Sequence, residues 1–97
     1  MEYYNPEMPL FTVLLEVDGG TYIAQLRSAS VRGAITKYAA EVVKGIEVGT
    51  LSFRKRLSNE LRDEAPVAIH GVRNVWCCSA SIKNKFVLLN LIETSGH

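Results

Sequence analysis

The sequence predicts an α+β fold: β-β-α-α-β-β, with one four-stranded antiparallel sheet and two helices packed on one face. Three observations carry this. Two pairs of alternating segments each flank a turn-forming run, Asp18-Gly19-Gly20 and Lys83-Asn84-Lys85. The stretches between the pairs repeat at helical spacing. Each pair also has one wholly apolar face, which the helices can cover.

Residues 1–8 read as a tail punctuated by Asn5-Pro6, and 9–95 as a single domain. Tyr3 and Tyr4 in the tail have no assigned packing site. Residues 10–17, LFTVLLEV, form the first strand, and 21–27, TYIAQLR, the second. Tight pairing sets Phe11, Val13, Leu15 and Val17 on one face with Tyr22, Ala24 and Leu26. The other face carries Thr12, Leu14, Glu16, Ile23, Gln25 and Arg27.

The run 30–46 is the clearest helix. Val31, Ala34, Ile35, Tyr38, Ala39, Val42, Val43 and Ile46 fill an arc of roughly 180° at about 100° per residue. Ser28 or Ser30 supplies the N-cap, and Gly45 or Gly49 the stop. Gly33 costs helix stability and marks a close backbone approach. Residues 50–65 form a second helix with a narrow stripe, Phe53, Leu57 and Leu61, ended by Pro66. Residues 67–73 are a short extended piece broken at Gly71. Residues 74–82 and 86–92 are the third and fourth strands. Trp76, Cys78, Ala80 and Ile82 share a face with Val87, Leu89 and Leu91. Val75, Cys77, Ser79 and Ser81 share the other with Phe86, Leu88, Asn90 and Ile92.

With 47% hydrophobic and 22% charged residues, the chain is globular rather than disordered. A net charge of +1 gives no global attraction for nucleic acid or anionic membrane. No apolar run reaches the roughly 18 residues of a spanning helix. The acidic start, MEYYNPEMP, lacks the pattern of a signal peptide, so a cytoplasmic home is expected. Cys77 and Cys78 are adjacent, point to opposite faces of a strand, and read as free thiols. Neither a redox pair nor a zinc cluster is indicated.

No phosphate loop, HExxH or nucleotide fingerprint is present, so the sequence shows no enzyme signature and implies no cofactor or metal. His70 has no orienting carboxylate nearby for a pairing with Cys77 or Cys78, and reads as structural. Tyr38 reads as a core aromatic with its hydroxyl at the rim.

Two surfaces remain as candidates. Two helices cover only one side of the sheet. The other side still carries Leu14, Ile23, Phe86, Leu88 and Ile92, with Val75 and Leu10, which is more apolar than a water-facing antiparallel face usually is. It is covered by a second copy or another protein, by the chain's own tail or its 67–73 segment, or the register is wrong. The second candidate is the start of the second helix. Arg54, Lys55 and Arg56 follow Ser52 there, reversing the charge order that the helix dipole favours. The free N–H groups and cations can hold a phosphate or carboxylate. The plainer reading is a solvated face, with Arg56 in reach of Glu60.

The run FTVLLEVDGGTYIAQLRSASVRGAITKYAAEV, about a third of the chain, resembles the strand–DGG–strand–helix start of HicB-type antitoxins. Those proteins usually have a further strand before the helix, where only Ser28 and Ala29 stand here. No residues carry over. The resemblance implies a small protein-binding regulator.

The function expected is therefore a small non-catalytic protein-binding module, of regulator, antitoxin or immunity type, that self-associates through the outer sheet face. Anion or nucleic-acid binding at Ser52, Arg54, Lys55 and Arg56 is the alternative, and a structural role the third.

Overall fold

Two turns decide which side chains share a face. In the computed structural model, which describes residues 8–95, Asp18 and Gly19 have φ of 53° and 76°. Lys83 and Asn84 have φ of 50° and 68°. Two consecutive residues in left-handed geometry make the tight turn whose twist matches a hairpin. Asp, Gly and Asn accept that geometry readily, whereas Lys83 sits there at a cost of about 1 kcal/mol. Each turn has two residues, so Gly20 and Lys85 already belong to strands.

The strands are β1 (Leu10–Val17), β2 (Gly20–Arg27), β3 (Val67–Ala68), β4 (Val75–Ile82) and β5 (Lys85–Ser95). The helices are α1 (Val31–Lys37) and α2 (Leu51–Asp63). The fold is α+β with an antiparallel sheet, but that sheet has five strands, ordered β2-β1-β5-β4-β3. The four-stranded β-β-α-α-β-β expectation is corrected by β3. Val67 and Ala68 pair with Cys77 and Trp76, and the Ile69 N–H donates to the Val75 carbonyl at 3.0 Å. A strand of two residues shows no periodicity, so alternation does not reveal it.

Both hairpins keep the expected register. Val13 lies opposite Ala24, Leu15 opposite Tyr22, Cys78 opposite Leu89 and Ala80 opposite Val87. β1 then pairs with β5, Val13 opposite Leu91 and Leu15 opposite Leu89, so the two hairpins join through their apolar strands. The inner face buries Phe11, Val13, Leu15, Val17, Leu26, Cys78, Ala80, Ile82, Val87, Leu89 and Leu91. The buried helix residues join the same core: Ala34, Ile35, Tyr38 and Ala39 from the first helix, and Phe53, Leu57 and Leu61 from α2.

Ser30 caps α1, its hydroxyl accepting from the Gly33 N–H at 3.0 Å. Ser28 is buried beside it, and a Cβ on Gly33 would come within 2.6 Å of the Ser28 Oγ, the close approach that glycine allows. The helix does not stay regular. From α1 it runs into a π turn, Tyr38–Val42, and a 3₁₀ turn, Val43–Gly45. The Val43 N–H donates to the Tyr38 carbonyl five residues back. The wider turn retards the helical phase. A regular helix centres Val42 in the apolar arc with Val43 at its edge; here Val43 is fully buried and Val42 only half-buried.

Thr50 caps α2, accepting from the Phe53 N–H at 3.1 Å. Gly49 precedes it at φ 61°. Ser58 lies beside the Leu57–Leu61 stripe, buried, and donates its hydroxyl to the Ala39 carbonyl in the π turn. Burying a hydroxyl is costly unless it is bonded, so this contact ties the helices together. Of the tail, Met8 is described, and its carbonyl accepts from Arg27 at 2.7 Å. Tyr3, Tyr4 and His97 lie outside the described residues.

Two substitutions in the helix pair should have opposite signs. Ser58→Ala leaves the Ala39 carbonyl without that donor and should lower stability by about 1–2 kcal/mol. The Tyr38 hydroxyl is buried without a hydrogen-bond partner among the described residues, rather than at a wet rim. Tyr38→Phe should therefore leave stability unchanged or raise it by up to about 1 kcal/mol. Urea denaturation of both variants checks the pair. A Tyr38→Phe loss as large as that of Ser58→Ala would contradict the reading.

Candidate functional site

The outer face of the sheet is built by the other half of the strand residues. The central row runs Ile23, Leu14, Asn90, Cys77 and Val67 across all five strands. A neighbouring row holds Thr21, Glu16, Leu88 and Ser79. On the opposite side lie Gln25, Thr12, Ile92 and Val75, and Phe86 stands beyond Leu88 beside Ser81. The structure thus brings Leu14, Ile23, Phe86, Leu88 and Ile92 onto one face, with no helix over it. Ile23 is 67% exposed and Phe86 65%, while Leu14, Leu88 and Ile92 are half-buried by their neighbours.

The apolar residues do not form one unbroken patch. Asn90 donates to Glu16 at 3.4 Å between Leu88 and Ile92. Gln25 donates to the Thr12 hydroxyl at 2.9 Å, and that hydroxyl donates to Thr94 at 3.1 Å. One group, Ile23, Leu14, Leu88 and Phe86, therefore lies toward the Asp18-Gly19 turn. A second, Ile92, Val75 and Val67, lies toward β3. A shallow groove of about 260 Å³ separates Phe86 and Leu88 from that turn. The 67–73 segment does not fold over this face; its Val67 joins the edge of the sheet in β3 and is 62% exposed. Its only signal is a β-branched residue after Pro66.

The start of α2 is arranged differently from the expected anion site. Arg54 turns back along the chain and donates to the carbonyls of Gly49 at 2.9 Å and Val48 at 3.3 Å. It ties down the loop that inserts Val48 into the core. Lys55 and Arg56 are exposed. Among the described residues Arg56 forms no ion pair with Glu60; the ion pair present joins Lys85 and Asp18. Ser52 is exposed and accepts from Lys83 at 3.0 Å. The hairpin thus brings a lysine that sequence reasoning missed, because 31 residues separate it from Ser52. Between these elements lies a cleft of about 250 Å³, lined by Val17, Asp18, Val48, Gly49, Thr50, Phe53, Lys83 and Lys85.

The chain matches no known protein family, no characterised protein and no solved structure. Chemistry must therefore be read from the side chains alone. Among the described residues no group of three or more His, Cys, Asp or Glu side chains is placed to hold a metal ion. No helix is long and apolar enough to cross a membrane. His70 is exposed in the loop after β3.

Cys77 is half-buried on the outer face, and Cys78 is buried on the inner one; both are free. Burial, followed by the Glu64 carboxylate and the neighbouring Cys77, pushes the Cys78 thiol up from 9.0 to about 11. A raised folded-state value means that the folded chain holds the proton more tightly. The stability it contributes is present below about 9 and is lost as pH rises toward about 11. Near neutral pH, Cys78 should react with a thiol reagent slower than Cys77 by roughly tenfold or more, since Cys78 is buried on the inner face and the thiolate is the reacting form. The second thiol should react on unfolding. Thiol titration of wild type and Cys77→Ser checks this; an equally fast reaction in Cys77→Ser would contradict it.

Proposed function

We propose that this chain is a small non-catalytic protein-binding module that self-associates through the outer sheet face. The observation that carries the reading is the exposure of Ile23 and Phe86, each about two-thirds in solvent, on a helix-free face with Leu14, Leu88 and Ile92. Apolar patches of a few hundred Å² on small proteins usually mark contact surfaces. Burying apolar surface contributes about 25 cal/mol per Å², so covering such a patch is worth several kcal/mol. A second copy supplies a matching sheet, and aligned sheets stack about 10 Å apart. The Asn90–Glu16 and Gln25–Thr12 bonds partner some of the polar groups within the face, which lowers the cost of covering them.

A role as a regulator, or as an antitoxin- or immunity-like protein, fits a binding surface without catalytic groups. The two free thiols support a reducing, cytoplasmic compartment. A second reading has one observation in its favour. Lys83 stands at Ser52, adding a cation to the start of α2 for a nucleic-acid or other anionic partner.

Light scattering at micromolar concentration separates these. Self-association predicts a mass at least twice 10.8 kDa, roughly halved by Leu88→Lys. A monomer indifferent to Leu88→Lys contradicts it. Anion binding instead predicts heparin retention at low salt that is lost in the Lys55→Glu, Arg56→Glu double variant.

A further inference from the structure

The two edges of the sheet are not treated alike. At one, β3 covers the start of β4 with two residues, and the exposed serines Ser79 and Ser81 follow. At the other stands β2, eight residues long and, among the described residues, paired on one side only. Exposed edges are usually protected by charge, proline or a bulge. Between Thr21 and Leu26 there is no charged residue and no proline, and the β1–β2 register is unbroken.

The turn geometry shows which backbone groups are open. In a two-residue hairpin the residues flanking the turn form a hydrogen-bonded pair, and such pairs recur at every second residue. Val17 and Gly20 flank the turn, and at the far end the Ser28 N–H donates to the Pro9 carbonyl at 3.1 Å. The even-numbered residues of β2 therefore bond to β1. Thr21, Ile23 and Gln25 direct their N–H and C=O groups away from the sheet. The same three residues carry their side chains on the outer face, with Ile23 at the middle.

We propose that β2 pairs antiparallel with β2 of a second copy, about a two-fold axis through Ile23. Ile23 then lies opposite the partner's Ile23, and Thr21 opposite the partner's Gln25. Thr21, Ile23 and Gln25 all enter hydrogen-bonded pairs. On the inner face the half-buried Tyr22 meets the partner's Ala24. Arg27, which donates to the Met8 carbonyl of its own chain, falls beside the partner's Asp18–Gly19 turn. Shifting the axis to Ala24 also pairs the backbone, but places Ile23 against the partner's Gln25 and moves Arg27 away from that turn. Apolar matching selects the Ile23 register. This contact is separate from face stacking: it leaves both outer faces on the same side of a ten-stranded sheet, with Leu88 and Phe86 still available.

Amide hydrogen exchange by NMR, across a dilution series of the full chain, tests the edge directly. Tyr22, Ala24 and Leu26 should exchange slowly at every concentration. Thr21, Ile23 and Gln25 should exchange slower by roughly tenfold or more at the concentrated end. Gln25→Pro removes an outward N–H and the side-chain bond to Thr12 but keeps the backbone bonds to β1, and should return Thr21 and Ile23 to fast exchange and lower the mass by half. Thr21→Pro serves the same purpose if Gln25→Pro loses its Trp76 near-ultraviolet signal. Leu88→Lys, which disrupts face stacking, should leave the edge protection in place. Thr21, Ile23 and Gln25 amides exchanging at open-peptide rates throughout would overturn the proposal. So would protection abolished by Leu88→Lys but retained in both proline variants.

Discussion

Side-chain parity in the two hairpins is the constraint from which the rest of this structure follows. A strand has only two faces, and a turn of two left-handed residues leaves no freedom in how the faces match. Asp18-Gly19 and Lys83-Asn84 therefore assign every residue of β1, β2, β4 and β5 to the core or to the outside. One residue more in either turn would exchange the two sets. The inner set is almost wholly apolar, and the helices can be laid across it without any special contact. Irregularity in the first helix is tolerated for the same reason. The π turn changes which valine points inward, so Val43 is buried in the core and Val42 only half-buried.

Parity also determines what the fold does not solve. From Phe86 to Ile92, β5 is apolar on both faces apart from Asn90, and it lies in the middle of the sheet between β1 and β4. A central strand of that composition belongs in a sheet covered on both sides. Here the helices occupy one side, and the other displays Phe86 and Leu88 around a few hydrogen-bonded polar residues. The edge strand β2 carries the same property to the boundary through Ile23. The proposed binding would thus follow from the strand sequences rather than from a separate motif. The charged start of α2 is spent in part on the molecule itself: Arg54 holds its own loop and Ser52 is bonded by Lys83, while Lys55 and Arg56 stay exposed.

Much of this was legible in the sequence, and the exceptions share a cause. Alternation about the DGG and KNK runs gave the faces, and helical spacing gave Ala34, Ile35, Tyr38, Phe53, Leu57 and Leu61 as core. Leu14, Ile23, Phe86, Leu88 and Ile92 were assigned to one face from parity alone, and they lie there. What escaped depends on distance rather than pattern. β3 is too short to have a period. The pairing of β1 with β5, which sets the strand order, joins segments some 80 residues apart. The Ser58–Ala39 bond and the Lys83–Ser52 bond link elements whose approach nothing local encodes. Arg54 read as an outward cation because its carbonyl partners lie in a loop without periodicity.

Cross-strand Hα–Hα contacts in a nuclear Overhauser spectrum measure parity at the seam between the hairpins. Antiparallel pairs that are not hydrogen-bonded bring their Cα atoms closest, to about 4.5 Å. Strong Hα–Hα peaks linking Val13 to Leu91 and Leu15 to Leu89 are the expected result. Peaks linking Leu14 to Leu89 or Leu91 instead would mean a slip of one residue, turning one hairpin over and setting Phe86 and Leu88 beneath the helices or Leu14 and Ile23 in their place.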